Sequence, residues 1–232
     1  MHVADQSWVA GTFLGRLDKA NRDRLLAVGV RRAVKESQVV LREGAEESHV
    51  IVLDDALAKV TVAMADGRQA LLAIRMSGDI VGEISALNGT PRTATVTACR
   101  PSIIRIIHRN AFRSFLRDNP DAALEVAGIV ADRLRWANRR RVDFASYPVK
   151  VRLARVLWEM AAAYGQRDPR GVVINVRLTQ GELATLCGAA EISLQKALGA
   201  LRAAGIVATG YREIVVRDSE ALGSLADLDG RA

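Results

Sequence analysis

The chain has 232 residues, and that length suits two modest domains, each able to bury a core of its own. Half of the residues are hydrophobic, but no apolar run approaches the roughly 18 residues needed to cross a bilayer, and 1–12 lacks a basic start followed by an apolar stretch, so a cytoplasmic protein is expected. The 33 Lys and Arg exceed the 26 Asp and Glu, and the two cysteines, Cys99 and Cys187, lie far apart without Cys or His at ligand spacing, so neither a disulfide framework nor a metal cluster is expected.

From about Arg31 to Arg109 the chain reads as short strands separated by turn signals. The strands are Val39 to Leu41, His49 to Leu53, Ala58 to Ala63, Gln69 to Ile74, Thr93 to Ala98 and Ser102 to His108. Glu43-Gly44-Ala45, Asp54-Asp55, Asp66-Gly67 and Ser77-Gly78-Asp79 supply the turns. Even spacing of this kind points to an antiparallel sandwich or barrel. Within it, the stretch from Gly78 to Val96 holds a glycine turn, a short helix over Glu83 to Leu87, a second turn and a strand opening at Arg92. Free amides at a helix start favour an anion, Gly82 permits close approach, and Arg92 can neutralise a phosphate with paired donors. Glu83 suits a ribose hydroxyl; alternatively, Glu83 and Arg92 pair with each other at the surface.

Beyond Asn119-Pro120 the period changes. Ala123, Ala127, Val130, Leu134 and Ala137 recur at steps of four and three, so one long helix is expected from Asp121 to about Phe144. The stripe serves either a second copy of the chain or the helix's own domain. Tyr147-Pro148 ends it. A second helix spans Val151 to Tyr164, followed by a loop from Gly165 to Gly171 and a strand-like Val172 to Leu178.

Thr179-Gln180-Gly181-Glu182 is a capping box, so a helix begins there. It runs to Gly188, and a second helix covers Glu191 to Ala204. Ala184, Gly188 and Leu194 hold the small, turn and core positions that a helix-turn-helix requires. Strands over Ile206 to Ala208 and Ile214 to Val216 form a hairpin about Gly210, completing a winged helix, and the tail from Asp218 is expected to be poorly ordered. Residues 133–217 carry fifteen Lys or Arg against six Asp or Glu, so this half is basic and the remainder slightly acidic, as a polyanion-binding half should be. Glu191, Ser193, Gln195 and Lys196 are candidates for base edges, and Arg177, Thr179 and Arg212 for phosphates.

In its Gly82-Glu83 and Pro91-Arg92-Thr93 elements, together with the helix-turn-helix, the chain resembles the superfamily of the cAMP receptor protein and the fumarate-nitrate regulator over about 13–218. The resemblance implies an α+β fold. An antiparallel, jelly-roll-like β-roll effector domain would span 13–118, a dimerisation helix and hinge 119–147, a winged helix-turn-helix 148–218 and a tail 219–232. It further implies a non-enzymatic transcription regulator that works as a homodimer on double-stranded DNA with RNA polymerase as partner, and takes cAMP or cGMP as effector rather than a resident cofactor. Gly82, Glu83, Arg92 and Thr93 would form the phosphate-binding cassette. Where the cAMP receptor protein places Thr-Ser against adenine this chain has Ala137-Asn138, so Asn138 is left to meet a base. Thr93 also suits guanine. In the recognition helix the family's Arg-Glu followed by Arg is replaced by Glu191-Ile192 followed by Lys196, so the operator differs. The alternatives are a ligand-independent regulator of the same fold and a cyclic-nucleotide-dependent enzyme or channel module. Iron-sulfur sensors of the superfamily need an amino-terminal cysteine cluster, and no cysteine occurs before Cys99; haem sensors need specific axial ligands, and His49 and His108 are read instead as structural or surface residues, so neither sensor is expected.

Overall fold

The structure is a computed structural model and describes residues 8–211 and 213–226. The chain divides into two compact units, 1–135 and 136–232, with the boundary inside one long helix.

In the first unit, α1 (Phe13–Arg16) and α2 (Lys19–Ala27) precede β1 (Val30–Val34), β2 (Val39–Leu41), β3 (Val50–Asp55), β4 (Leu57–Ala63), β5 (Gln69–Met76) and β6 (Ile80–Val81). Then come α3 (Glu83–Asn88), β7 (Thr95–Ala98), β8 (Ser102–Ile107), α4 (Arg109–Asp118) and the first part of α5 (Pro120–Ser146). The strands form two antiparallel sheets, β1-β8-β3-β6 and β2-β7-β4-β5, giving the β-roll that the sequence implied. Strand β3 shows why its sequence does not alternate. Ile51 and Leu53 enter the core with Leu41, Val96 and Ile104, while Val50 and Val52 face a second core built by Phe13, Leu25, Phe112, Phe115, Ala122, Val126 and Ile129. A strand covered on both faces reads as a continuous apolar run.

Several elements carry little signal in the sequence. Strand β1 is an edge strand with exposed Arg31 and Arg32, joined to β8 by its backbone, so it lacks an apolar alternation. Helix α4 buries only Phe112 and Phe115, with Ala111 and Leu116 half-buried beside them and the remaining positions charged or polar. Strand β7 starts at Thr95 rather than at Arg92 or Thr93, because the main chain at Arg92 is already held by Ala45 and Gly44.

The second unit contains the end of α5, then α6 (Val149–Tyr164), β9 (Gly165–Asp168), β10 (Gly171–Ile174), α7 (Gln180–Leu186), α8 (Glu191–Ala203), β11 (Val207–Gly210), β12 (Glu213–Val216) and α9 (Ser219–Leu225). The order β11-β12-β10-β9 makes a small antiparallel sheet beside the helices. Three expectations are corrected in this unit. The supposed loop from Gly165 is strand β9, paired with β10 in a hairpin; its Gln-Arg-Asp composition conceals it. Strand β10 stops at Ile174 rather than Leu178. The described part of the tail expected to be poorly ordered, 218–226, instead forms α9, capped by Asp218, with Leu222 and Ala226 fully buried; 227–232 lie outside the described residues. Among the described residues no helix is long and apolar enough to cross a membrane.

Helix α5 buries a stripe at 122, 126 and 129 against its own unit, one position away from the stripe expected to form a seam. The expected seam is left uncovered at Leu134, which is 61% exposed.

Candidate effector and DNA-binding sites

Strand β6 delivers the chain into the turn before α3, where Gly82 has φ +81. Only glycine takes this conformation at little cost, and a Cβ there would lie 2.5 Å from Nη1 of Arg92. Arg92 is 3% exposed. Its Nη1 donates to the Gly82 carbonyl at 3.0 Å and its Nη2 to the His49 carbonyl at 2.6 Å. Its Nε is buried without a hydrogen-bond partner. The guanidinium thus meets main-chain carbonyls rather than a carboxylate, and burial pulls its pKa down, opposed by the more distant charges of Glu47 and Glu83. A buried cation of this kind is costly unless an anion compensates it. The orphaned donor and the glycine that gives access to it fit a phosphate.

Glu83 is also buried, but it does not pair with Arg92 as the surface alternative supposed. Its Oε1 accepts from Nη1 of Arg133 at 2.7 Å, and Nη2 of Arg133 donates to the Ile80 carbonyl at 2.7 Å. The Asp79 carboxyl stands 3.9 Å from the same guanidinium, and burial raises its pKa against the opposing charges of Arg75 and Arg133. Arg133 cancels the Glu83 charge, so an anion beside Arg92 would not face an uncompensated carboxylate. In the sequence Arg133 stands out only as one member of a basic segment. A signal was available: the buried stripe 122, 126, 129 continues by one step of four to 133. Thr93 is exposed at the mouth of the cassette. Asn138 is exposed on the part of α5 that belongs to the second unit, so only Gly82, Glu83 and Arg92 are brought together with Thr93 in sequence behind them.

In the second unit the capping box forms as read. Thr179 Oγ1 accepts from the Glu182 amide at 3.1 Å, and Glu182 Oε2 accepts from the Thr179 amide at 2.8 Å. Gly188 has φ +59, and its carbonyl accepts from Arg152 at 2.8 Å. A Cβ at Gly188 would fall 2.6 Å from the Phe144 ring. Ala184 and Leu194 are buried between α7 and α8, as that motif demands.

The candidates for base contacts, Glu191, Ser193, Gln195 and Lys196, are all exposed on α8. Two of them lean back on α7: Nε2 of Gln195 donates to Gln180 Oε1 at 2.8 Å, and Glu191 Oε2 lies 3.7 Å from the Cβ position of Gly181. Thr179 is exposed with its hydroxyl engaged in the cap. Arg177 is half-buried and has φ +56, an uncommon value for a side-chain-bearing residue. Arg212 lies outside the described residues.

Residues 31–119 match the cyclic nucleotide-binding domain family, and residues 151–225 match the Crp-like helix-turn-helix domain family. The chain is similar to a CRP-like cAMP-activated global transcriptional regulator of Mycobacterium tuberculosis, with 28% identity over 79% of this chain and 82% of that one. Among solved structures, a Crp-family transcriptional regulator from Thermus thermophilus superposes with a TM-score of 0.72 at 24% identity, covering 84% of this chain and 96% of that one. A c-di-GMP-responsive global regulator from Xanthomonas campestris gives 0.75 at 20% identity, covering 87% and 100%. The structural likenesses speak for the fold.

Proposed function

Since the chain belongs to the Crp/Fnr superfamily of transcription regulators, with a cyclic nucleotide-binding domain and a Crp-like helix-turn-helix domain, we propose that a cyclic nucleotide sets its affinity for operator DNA. The observation that carries this is Arg92: a buried guanidinium with an orphaned Nε, held by carbonyls beside a glycine turn. A cyclic phosphate would take that charge, with Thr93 closing on it and the carboxylate of Glu83, positioned by Arg133, accepting from the ribose. The first effector to test is cAMP, with cGMP as competitor.

The protein would act as a cytoplasmic homodimer, not as an enzyme. The stripe Ala123, Ala127, Val130, Leu134 and Ala137, exposed at Ala127, Leu134 and Ala137, is the surface on which a second copy would pack. That pairing would bring Asn138 of one chain to the base bound by the other. The two recognition helices must meet major grooves about 34 Å apart, so a nucleotide that binds one arrangement of the helix pair more tightly controls the fit to DNA. Arg177, Thr179 and Arg212 would hold phosphates, α8 would read bases, and RNA polymerase would be met on the bound promoter.

Isothermal titration of the full chain with cAMP and with cGMP tests this reading. Saturable binding is expected, abolished in Arg92→Ala and weakened in Thr93→Ala, whose exposed position keeps the test independent of folding. Equal binding by both variants and the parent chain would refute the assignment of the site. No binding of either nucleotide would leave a ligand-independent regulator.

A further inference from the structure

The recognition helix α8 buries Leu194, Ala197, Leu198 and Leu201. At about 100° per residue, Ile192 lies opposite the centre of that stripe, and it is 68% exposed. Of its neighbours in the first turns, Gln195 is bonded to Gln180, and Glu191 folds back towards Gly181. Ile192 and Lys196, one turn apart, are therefore the long side chains on the outward centre of the helix. An isoleucine here does little for the chain itself: β-branching lowers helix propensity, and the residue adds almost nothing to the core.

We infer that Ile192 is a specificity-determining residue that reads the C5-methyl group of a thymine in each half-site. This inference rests on the DNA-binding reading above. In the major groove each base edge offers hydrogen-bonding groups, and thymine alone adds a methyl. An isoleucine pressed against any other base edge would strip water from polar atoms and return no hydrogen bond, whereas against thymine it buries two apolar surfaces together. Lys196, one turn further along, is free to take a guanine or a phosphate beside that thymine.

The test starts with selection of binding sites by the full chain from duplexes with a randomised centre, run with cAMP, with cGMP and with neither. Uracil, which lacks only the methyl, then replaces each thymine of the enriched duplex in turn, and affinities are read by fluorescence anisotropy. At one thymine per half-site uracil should weaken binding roughly fourfold, the effect of one buried methyl group. Ile192→Ala, an exposed substitution, should bind the thymine and uracil duplexes equally there while keeping its response at other positions. Uracil tolerated at every position, or an unchanged uracil effect in Ile192→Ala, overturns the inference while DNA binding stands. Failure to enrich any duplex is a different result, which removes the DNA-binding reading and this inference with it.

Discussion

The junction between α5 and α6 depends on a carboxylate shared between two arginines, and Asp143→Ala shows how much. Asp143 is 4% exposed and Arg155 3%. Nη1 of Arg155 donates to Asp143 Oδ1 at 2.6 Å, and Nη1 of Arg140 stands 3.9 Å from Oδ2. Arg155 also donates from Nε to the Ala226 carbonyl at 2.7 Å and lies 3.8 Å over the Tyr147 ring. Removing the anion takes the carboxylate from the buried Arg155 guanidinium, while Arg140 keeps Glu159. Breaking a buried pair from one side costs about 3–5 kcal/mol. The exposed pair Lys19 and Asp23 sets the contrast, since pairs of its kind contribute about 0–1 kcal/mol. Urea unfolding followed by tryptophan fluorescence is a suitable assay, because Trp136 and Trp158 lie in the same unit as Asp143 and Trp8 in the unit of Asp23. With an unfolding slope of about 2 kcal/mol per molar, the midpoint should fall by roughly 2 M in Asp143→Ala and hardly move in Asp23→Ala. The double variant Asp143→Leu with Arg155→Met should recover most of the loss, because Arg140 keeps its partner Glu159 and no other charge is stranded. Equal midpoints for Asp143→Ala and Asp23→Ala would refute the reasoning.

Three further outcomes are expected. Gly82→Ala imposes a left-handed backbone on a residue with a side chain, at about 1–2 kcal/mol, and drives its Cβ into Arg92, so nucleotide affinity should drop by about tenfold or more in titration calorimetry; an undiminished affinity would contradict the cassette geometry. Burial pushes the Cys187 thiol from 9.0 up to about 12, against the opposing charges of Arg140 and Arg152. Its contribution to stability is then constant below about pH 9 and lost as pH rises towards about 12, and at about pH 8 the folded protein should leave Cys187 unlabelled by a thiol reagent until denaturant is added. Leu134→Glu places a charge on the exposed part of the α5 stripe and should shift sedimentation velocity from dimer to monomer while the helical circular dichroism of the chain stays unchanged; a species that still sediments as the parent chain does would contradict the pairing surface.

Much of this was legible where the signal is local. The Thr179 and Glu182 box, the Gly82 and Gly188 turns and most strands of the roll follow from residues a few positions apart, and their chemistry is satisfied within one turn. The candidate phosphate site was visible because Gly82, Glu83, Arg92 and Thr93 fall within one short stretch. Elements stabilised from elsewhere in the chain were not visible. Strand β9 is a strand because β10 offers it a partner, not because Gln-Arg-Asp favours extension. Helix α9 is ordered because Leu222 and Ala226 find a core and Arg155 finds the Ala226 carbonyl.

Helix α5 marks the boundary between the two kinds of knowledge. Its sequence alone determined a long helix, since apolar residues recur at helical spacing from the first turn until Tyr147-Pro148 ends it. It also carries two adjacent stripes, 122-126-129 and 123-127-130-134, that are both apolar enough to be buried. Periodicity fixes the angle between such stripes but not which of them meets the chain's own core, because that depends on where Phe13, Phe112 and Phe115 arrive from distant parts of the sequence. The tertiary structure decided it, and in doing so turned Arg133 inward onto Glu83 and left Leu134 exposed.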